Sequence, residues 1–313
     1  MRHRLLIAVC CLCLATAPAR ANDLFVDNVR GDDTGSGKSQ IPSADLGGPL
    51  RSLTRALELA RSGDRIVMAD TGVPYRESVT LMGGRHNGLG RQAFVIEGNG
   101  AILDGSDLVP TKSWEHFRGD IYRFRPPHFA FAQLFLDGPP VERRHLDNAL
   151  GRLPMLAPQQ WCLADGWIYF RTEERQFPAD YPLTYAALTV GVTLYEVHDV
   201  IIRNLTVQGF QLDGINAHDC AKDCQLVGVI ARGNGRAGIA VGGASSVRIR
   251  SCLLNDNGDA QILTDGPSTT SIEETEVESA SAPALLHRGG NVFYDGRRLN
   301  GPSYEALPPG ESQ

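Results

Sequence analysis

The residues best suited to chemistry lie at matching places in a recurring pattern. They are Asp213 and His218, then Arg236, then Asp259, Gln261 and Asp265, then Arg288. Asp213 opens the segment Asp213-Gly214-Ile215, and comparable apolar segments follow as Ala237-Gly238-Ile239 and Gln261-Ile262. Asp213 and Asp259 could divide the roles of general acid and general base. His218 is a second base, able to change charge near neutrality. Arg236, whose pKa is too high for easy deprotonation, serves more simply in an ion pair or beside an anionic group. Asp256, Asp259 and Asp265 supply hard oxygen donors of the kind that hold Ca²⁺. A purely structural account competes with all of these. Asp and Asn at turns satisfy backbone amides, and mixed surface charges form exposed pairs.

The element that would position these residues is a repeat. Aligning the stretches that begin at Asp199, Asp223, Ser246 and Thr269 places Ile202, Leu226, Ile249 and Ile272 in one column, at offsets of 24, 23 and 23 residues. Leu205, Val229, Cys252 and Thr275 form a second column, and Val207, Ala231, Leu254 and Val277 a third. Ile215, Ile239, Ile262 and Leu285 form the fourth, after corners rich in Gly and Asn. A leucine-rich repeat shares this period but needs a helical or similar convex segment in its second half. Here the second halves read Asp213-Gly-Ile-Asn-Ala and Ala237-Gly-Ile-Ala-Val, which alternate like strands. Short strands stacked every 23 or so positions make an all-β, parallel β-helix solenoid whose apolar columns become interior ladders. Asp213 and Asp259 then lie two coils apart, about 9–10 Å by the strand spacing.

A solenoid end exposes core and strand edges and needs a lid. Pro49 is expected to open a helix with Leu53, Ala56, Leu57 and Ala60 on one face, and Gly63 to close it. Phe25-Val-Asp, Gly31-Asp-Asp-x-Gly35-x-Gly37, Ala60-x-x-Gly63-Asp64-x-Ile66 and Tyr75-x-Glu77 together resemble the opening of bacterial pectate-lyase-like right-handed β-helix proteins. With the repeats, the resemblance covers most of residues 22–110 and 186–298. The reading divides the chain into a signal peptide (1–21), a cap with the first coils (22–110), a β-hairpin insertion (111–185), the repeats (186–298) and a flexible tail (299–313). The insertion carries Asp137-Gly138 and Asp165-Gly166 between apolar alternations, a hairpin signal.

The resemblance implies a carbohydrate-active protein that cleaves a polysaccharide or oligosaccharide by hydrolysis or by lyase elimination. The rival is a non-catalytic surface or glycan-binding β-helix. Asp213-Gly214-Ile215 resembles the first half of a polygalacturonase site. The next coil, however, has Arg236-Ala237 where those enzymes place paired aspartates, and no Gly-His-Gly or Arg-x-Lys follows. The separation of Asp213 and Asp259 is near the roughly 6.5–9.5 Å of inverting hydrolysis. In a lyase, Arg236 would resemble the arginine base, with His218 as alternative and Ca²⁺ on Asp256, Asp259 and Asp265. Trp161 and Trp167 could stack on sugar rings or pack the hairpin. Asp32 and Asp33 lack the spacing of a Ca²⁺ loop.

Composition sets the surroundings. A basic start, the apolar run Leu5–Leu14 and a small-residue exit at Ala19-Arg20-Ala21 read as a secretory signal peptide, which implies a periplasmic or secreted protein. No run is long enough to span a bilayer. Removing Arg2, Arg4 and Arg20 leaves 27 basic residues against 36 acidic ones, a net charge of −9. That balance argues against nucleic acid as a partner. It also disfavours a polyanionic glycan unless a basic cleft corrects the sign locally. Cys162, Cys220, Cys224 and Cys252 remain, and Cys220 and Cys224 flank one turn and could bridge. A monomer is expected.

Overall fold

In the computed structural model, residues 22–42, 47–127, 131–146 and 152–307 are described. The signal peptide expected at residues 1–21 lies outside them. The chain winds through three parallel sheets, one strand of each per coil. The first sheet stacks Arg65–Met68, Phe94–Glu97, Val200–Arg203, Cys224–Val227, Ser246–Arg250, Thr269–Glu273 and Asn291–Tyr294. The second stacks Ile102–Asp104, Thr206–Gln208, Ile230–Arg232, Leu253–Asn255 and Glu276–Val277. The third stacks Val79–Met82, Val192–Tyr195, Asp213–His218, Ala237–Val241, Ala260–Thr264 and Leu285–His287. The expected columns are in register: Ile202 pairs Leu226, then Ile249, then Ile272, and Ile215 pairs Ile239, then Ile262, then Leu285. All eight are fully buried in one continuous core.

Turn chemistry explains why the corners hold. Between the first and second sheets the backbone turns through left-handed residues at Asn204, Gly228, Ser251 and Glu274. Between the second and third sheets it bends around a buried amide ladder. Asn234 Nδ2 donates to Asn257 Oδ1 at 3.0 Å, and Asn257 Nδ2 donates to Gln261 Oε1 at 2.7 Å. These bonds satisfy polar groups that would be costly if buried alone. The ladder also fixes Gly214, where a Cβ would stand 2.8 Å from both Asn234 Nδ2 and the Gly238 carbonyl.

The lid is shorter than the sequence indicates. The helix spans Leu53–Leu59, and Ser52, not Pro49, begins it by accepting from Arg55 N. Glu77 of the first coil accepts from Leu53 N and Thr54 N at 2.9 and 2.8 Å, bringing a carboxylate to the helix start. Leu53, Ala56, Leu57 and Ala60 are buried as the pattern requires. Asp33 accepts from Arg51 N and Ser52 N, so the Gly31–Gly37 loop is tied to the helix entry. At the other end the residues after 299 are not loose up to 307. Ser303–Tyr304 pairs antiparallel with Leu285–Leu286, and Tyr304 Oη accepts from Asn300 N and Gly301 N.

The insertion leaves the solenoid at one particular corner. Strand Ile102–Asp104 ends the second-sheet part of its coil, and Val192–Tyr195 resumes the third-sheet part. Between them a four-stranded antiparallel sheet (Glu115–Arg118, Ile121–Phe124, Trp161–Ala164, Trp167–Arg171) and a three-stranded one (Ser106–Leu108, Leu134–Leu136, Leu183–Ala186) enclose a separate core. Asp137-Gly138 and Asp165-Gly166 turn with positive φ at every residue, as expected of hairpin turns. Trp161 is wholly buried and donates to the Val141 carbonyl, while Arg123 covers the Trp167 ring at 4.2 Å. Packing therefore accounts for both tryptophans. All four described cysteines are free, with Cys220 exposed and Cys224 inside the core, so no 220–224 bridge is present.

Candidate active site

The corner between the second and third sheets carries Leu212, Arg236 and Asp259 one above another, joined by Arg236 N to the Leu212 carbonyl and Asp259 N to the Arg236 carbonyl. Asp213, the next residue along, has no exposed surface. Arg236 grips it with two parallel bonds, Nε to Oδ1 at 2.9 Å and Nη2 to Oδ2 at 2.5 Å, and Asn216 Nδ2 adds a third at 2.9 Å. Burial pushes the Asp213 carboxyl above its ordinary range, against the pull of Arg236, and the same bonds raise Arg236. Every lone pair facing Arg236 and Asn216 is thereby committed. Asp213 cannot at once hold this pair and activate a water, so the expected two-carboxylate arrangement is not the one formed. Its role is to orient Arg236.

Asp259 is different. It is half-buried, and its carboxylate makes no hydrogen bond among the described residues. Burial raises its pKa, while Arg143, Arg288, His145 and Arg236 draw it down in that order. Arg143 and His145 come from the insertion and were not singled out in the sequence. Arg143 lies over the Trp161 ring at 5.2 Å, and its buried Nε has no hydrogen-bond partner among the described residues. Neither Arg143 nor Arg288 has a carboxylate within ion-pair distance there. His145 is largely exposed, and the partial burial of its ring together with Arg143 lowers its pKa against the opposing pull of Asp259. Phe131 closes one side, with Arg236 above its ring at 6.0 Å. The result is a cluster of charged side chains where the insertion meets the solenoid corner.

The remaining expected residues are dispersed. His218 stands at the far end of its strand, five residues from Asp213, against the Tyr195 ring at 5.2 Å. Five strand residues span about 16 Å, which removes His218 from Asp213 and Arg236. Gln261 is not part of this cluster. It is fully buried beneath the corner, completing the amide ladder. Asp256 faces the opposite side of the corner and Asp265 is exposed at the far end of the strand. Asp256, Asp259 and Asp265 are thus not gathered into a Ca²⁺ site, and no group of three His, Cys, Asp or Glu side chains among the described residues could hold a metal ion. Only Arg143-Arg144-His145, three titratable residues shortly after Pro139-Pro140, could have pointed to the second wall in advance.

Stacked three-stranded coils with an amide-laddered corner define a parallel β-helix. Residues 185–303 match the family described as right handed beta helix region. A solved structure titled glycoside hydrolase is similar at 11% identity and a TM-score of 0.56, over 81% of this chain and 74% of that one. The pectate lyase Pel9A aligns at 12% identity and a TM-score of 0.42, over 87% and 62%. A lacto-N-biosidase from Eubacterium ramulus aligns at 12% and 0.41, over 80% of this chain but 41% of its own length. These likenesses concern the fold alone. No curated protein matches the chain, and among the described residues no helix is long and apolar enough to cross a membrane.

Proposed function

We propose that this is an exported, carbohydrate-active protein that cleaves a uronic acid-containing polysaccharide by β-elimination at the charged cluster where the insertion meets the corner. The observation that carries the reading is Asp259, a half-buried carboxyl without a hydrogen-bond partner among the described residues, set among Arg143, Arg236, Arg288 and His145. Hydrolysis by the usual route needs two available carboxyl groups, and Asp213 is committed to Arg236. Elimination needs something else: a cation beside the uronate carboxylate, a base for the adjacent carbon-bound proton, and an acid for the leaving oxygen. Arg143 and Arg288, which have no carboxylate within ion-pair distance among the described residues, suit the first. They also supply the local positive potential that the acidic chain as a whole lacks.

His145, kept neutral by its lowered pKa, takes the proton from the carbon next to the uronate carboxylate. The electron pair left behind forms the new carbon–carbon double bond as the glycosidic bond breaks. Asp259, whose pKa burial raises, gives its proton to the departing sugar oxygen. Activity needs His145 deprotonated and Asp259 protonated. The pH profile is therefore expected to be bell-shaped, with its maximum between the pKa values of His145, which is lowered, and Asp259, which is raised. The optimum is expected on the acid side of neutrality.

The test is a panel of uronic and neutral polysaccharides, with and without Ca²⁺, read for both reducing ends and the ultraviolet absorbance of unsaturated products. Wild type should give both signals on a uronic glycan without requiring Ca²⁺. His145→Ala and Asp259→Asn should each lose on the order of 10²-fold or more in rate. Reducing ends without unsaturation would establish hydrolysis instead. Glycan binding without any turnover would select the non-catalytic rival.

A further inference from the structure

The same corner has a second opening on its other side. A cavity of about 300 Å³ lies between the outward face of the second sheet and the insertion. That volume sits at the small end of ligand pockets. Its sheet wall is a single outward column in which Asp104, Gln208, Arg232 and Asn255 occupy successive coils in register. Gln208 Nε2 donates to Asp104 Oδ2 at 3.2 Å, and Arg232 Nε donates to Gln208 Oε1 at 2.9 Å. Phe135 and Pro140 of the insertion close the opposite wall against Gly233.

The column leaves groups unused at the cavity. The two terminal nitrogens of Arg232 and the carboxyl of Asp256 make no hydrogen bond among the described residues. A donor group, the Arg232 guanidinium, and an acceptor group, the Asp256 carboxyl, are therefore left on successive coils opposite an apolar surface. A hydroxylated ring has both features, with hydroxyls on its edge and C–H groups on its face. The charge balance narrows the class further. Asp104 and Asp256 outweigh Arg232, and Glu278 stands close enough to Asp256 to raise its pKa. An anion is disfavoured by that excess, and a small cation by the guanidinium.

We infer that this cavity is a saccharide-binding site for a neutral sugar residue, held by Arg232 and Asp256 and distinct from the cluster around Asp259. The inference stands independently of β-elimination. Asp256 and Asp259 are three residues apart, no more than about 10 Å of extended chain, so one glycan could reach both sides of the corner. A positive cluster beside a negative cavity then selects a heteropolysaccharide that carries a uronic and a neutral residue close together.

The experiment is saturation-transfer NMR, with titration, using the methyl glycosides of glucose, galactose, mannose, rhamnose and xylose, and of galacturonate and glucuronate as competitors. It compares wild type with Arg232→Ala, Asp256→Asn and Asp259→Asn. At least one neutral glycoside should bind wild type and Asp259→Asn with equal affinity, and uronates should not displace it. Arg232→Ala should weaken that binding about tenfold or more, as expected for loss of charged hydrogen bonds. Arg232 is exposed, and asparagine tolerates the positive φ of 56° at residue 256, so both variants should melt close to wild type. Should Arg232→Ala not fold, Asp256→Asn takes its place in the comparison, with the same weakening expected. The site is wrong if no neutral glycoside binds, if Arg232→Ala binds as wild type does, or if uronates compete equally. Neutral-sugar binding without cleavage would overturn the elimination reading and leave this one standing.

Discussion

At the scale of single residues, the contrast between Asp213 and Asp259 decides how the corner is interpreted. Both are aspartates at the same corner, and the sequence makes them look like a pair, although the register sets Asp213 in line with Ala237 and Ala260 and Asp259 in line with Arg236. The difference comes from what the intervening coil places between them. Arg236 satisfies Asp213 from above with two bonds, and Asp259 is left facing the insertion. Removing Asp213 strands a partly buried guanidinium. Asp213→Ala is therefore expected to cost about 3–5 kcal/mol, the usual penalty for breaking a buried pair from one side. Chemical denaturation would measure this, and a cost below about 1 kcal/mol would show that Asp213 does not hold Arg236 in place. The stacking of Arg236 and Asp259 was legible in the sequence because both follow the 23-residue repeat, whereas the preceding coil is one residue longer and sets Asp213 in line with Ala237 and Ala260 instead. Arg143 and His145 were not, because they lie in the segment where the repeat stops and periodicity says nothing about distance.

At the scale of elements, the ladders were the legible part, since interior apolar positions repeat with the coil and each must stack on its like. Gln261 shows where that logic ends. Its alternation placed it outside, but the amide ladder at the corner needs one more member, and hydrogen-bond satisfaction outweighs alternation there. Tyr75-x-Glu77 shows the reverse case, a motif that carries the family resemblance and whose residues prove structural. Tyr75 Oη donates to the Ala69 carbonyl at 2.9 Å, and Glu77 caps the lid helix from the neighbouring coil. Glu77→Ala would leave Leu53 N and Thr54 N without their acceptor. A loss of about 1–2 kcal/mol in unfolding free energy is expected, in line with the loss of a helix cap. Melting at the wild-type temperature would mean that Ser52 alone is sufficient.

At the scale of the whole molecule, the solenoid is a stack in which each coil touches only its neighbours, so its ends matter more than those of a globular domain. The strand Asp23–Val26 and the helix Leu53–Leu59 cover the first coil, and residues 297–304 turn back over the last. Deleting residues 22–64 would bare the edge of Arg65–Met68 and the apolar side of Ile66 and Leu81. The truncated chain is expected to aggregate, as light scattering after refolding would show. A soluble truncation with cooperative unfolding would mean that the lid is dispensable.

The place where the insertion leaves the coil also bears on the order in which the molecule assembles. An ordinary coil passes from the second sheet to the third in five residues, Gln208 to Asp213, whereas the interrupted coil needs 88, Asp104 to Val192. The entropy of closing a loop grows with the logarithm of its length, so that coil is disfavoured by about 2–3 kcal/mol relative to its neighbours unless the insertion folds first and draws its own ends together. The uninterrupted coils from Val200 onward have no such delay, and their contacts are the most local in the solenoid. Nucleation is therefore favoured in the later coils even though the chain emerges from its other end. The lid and first coils are added last, once the insertion has closed the gap that separates them from the rest.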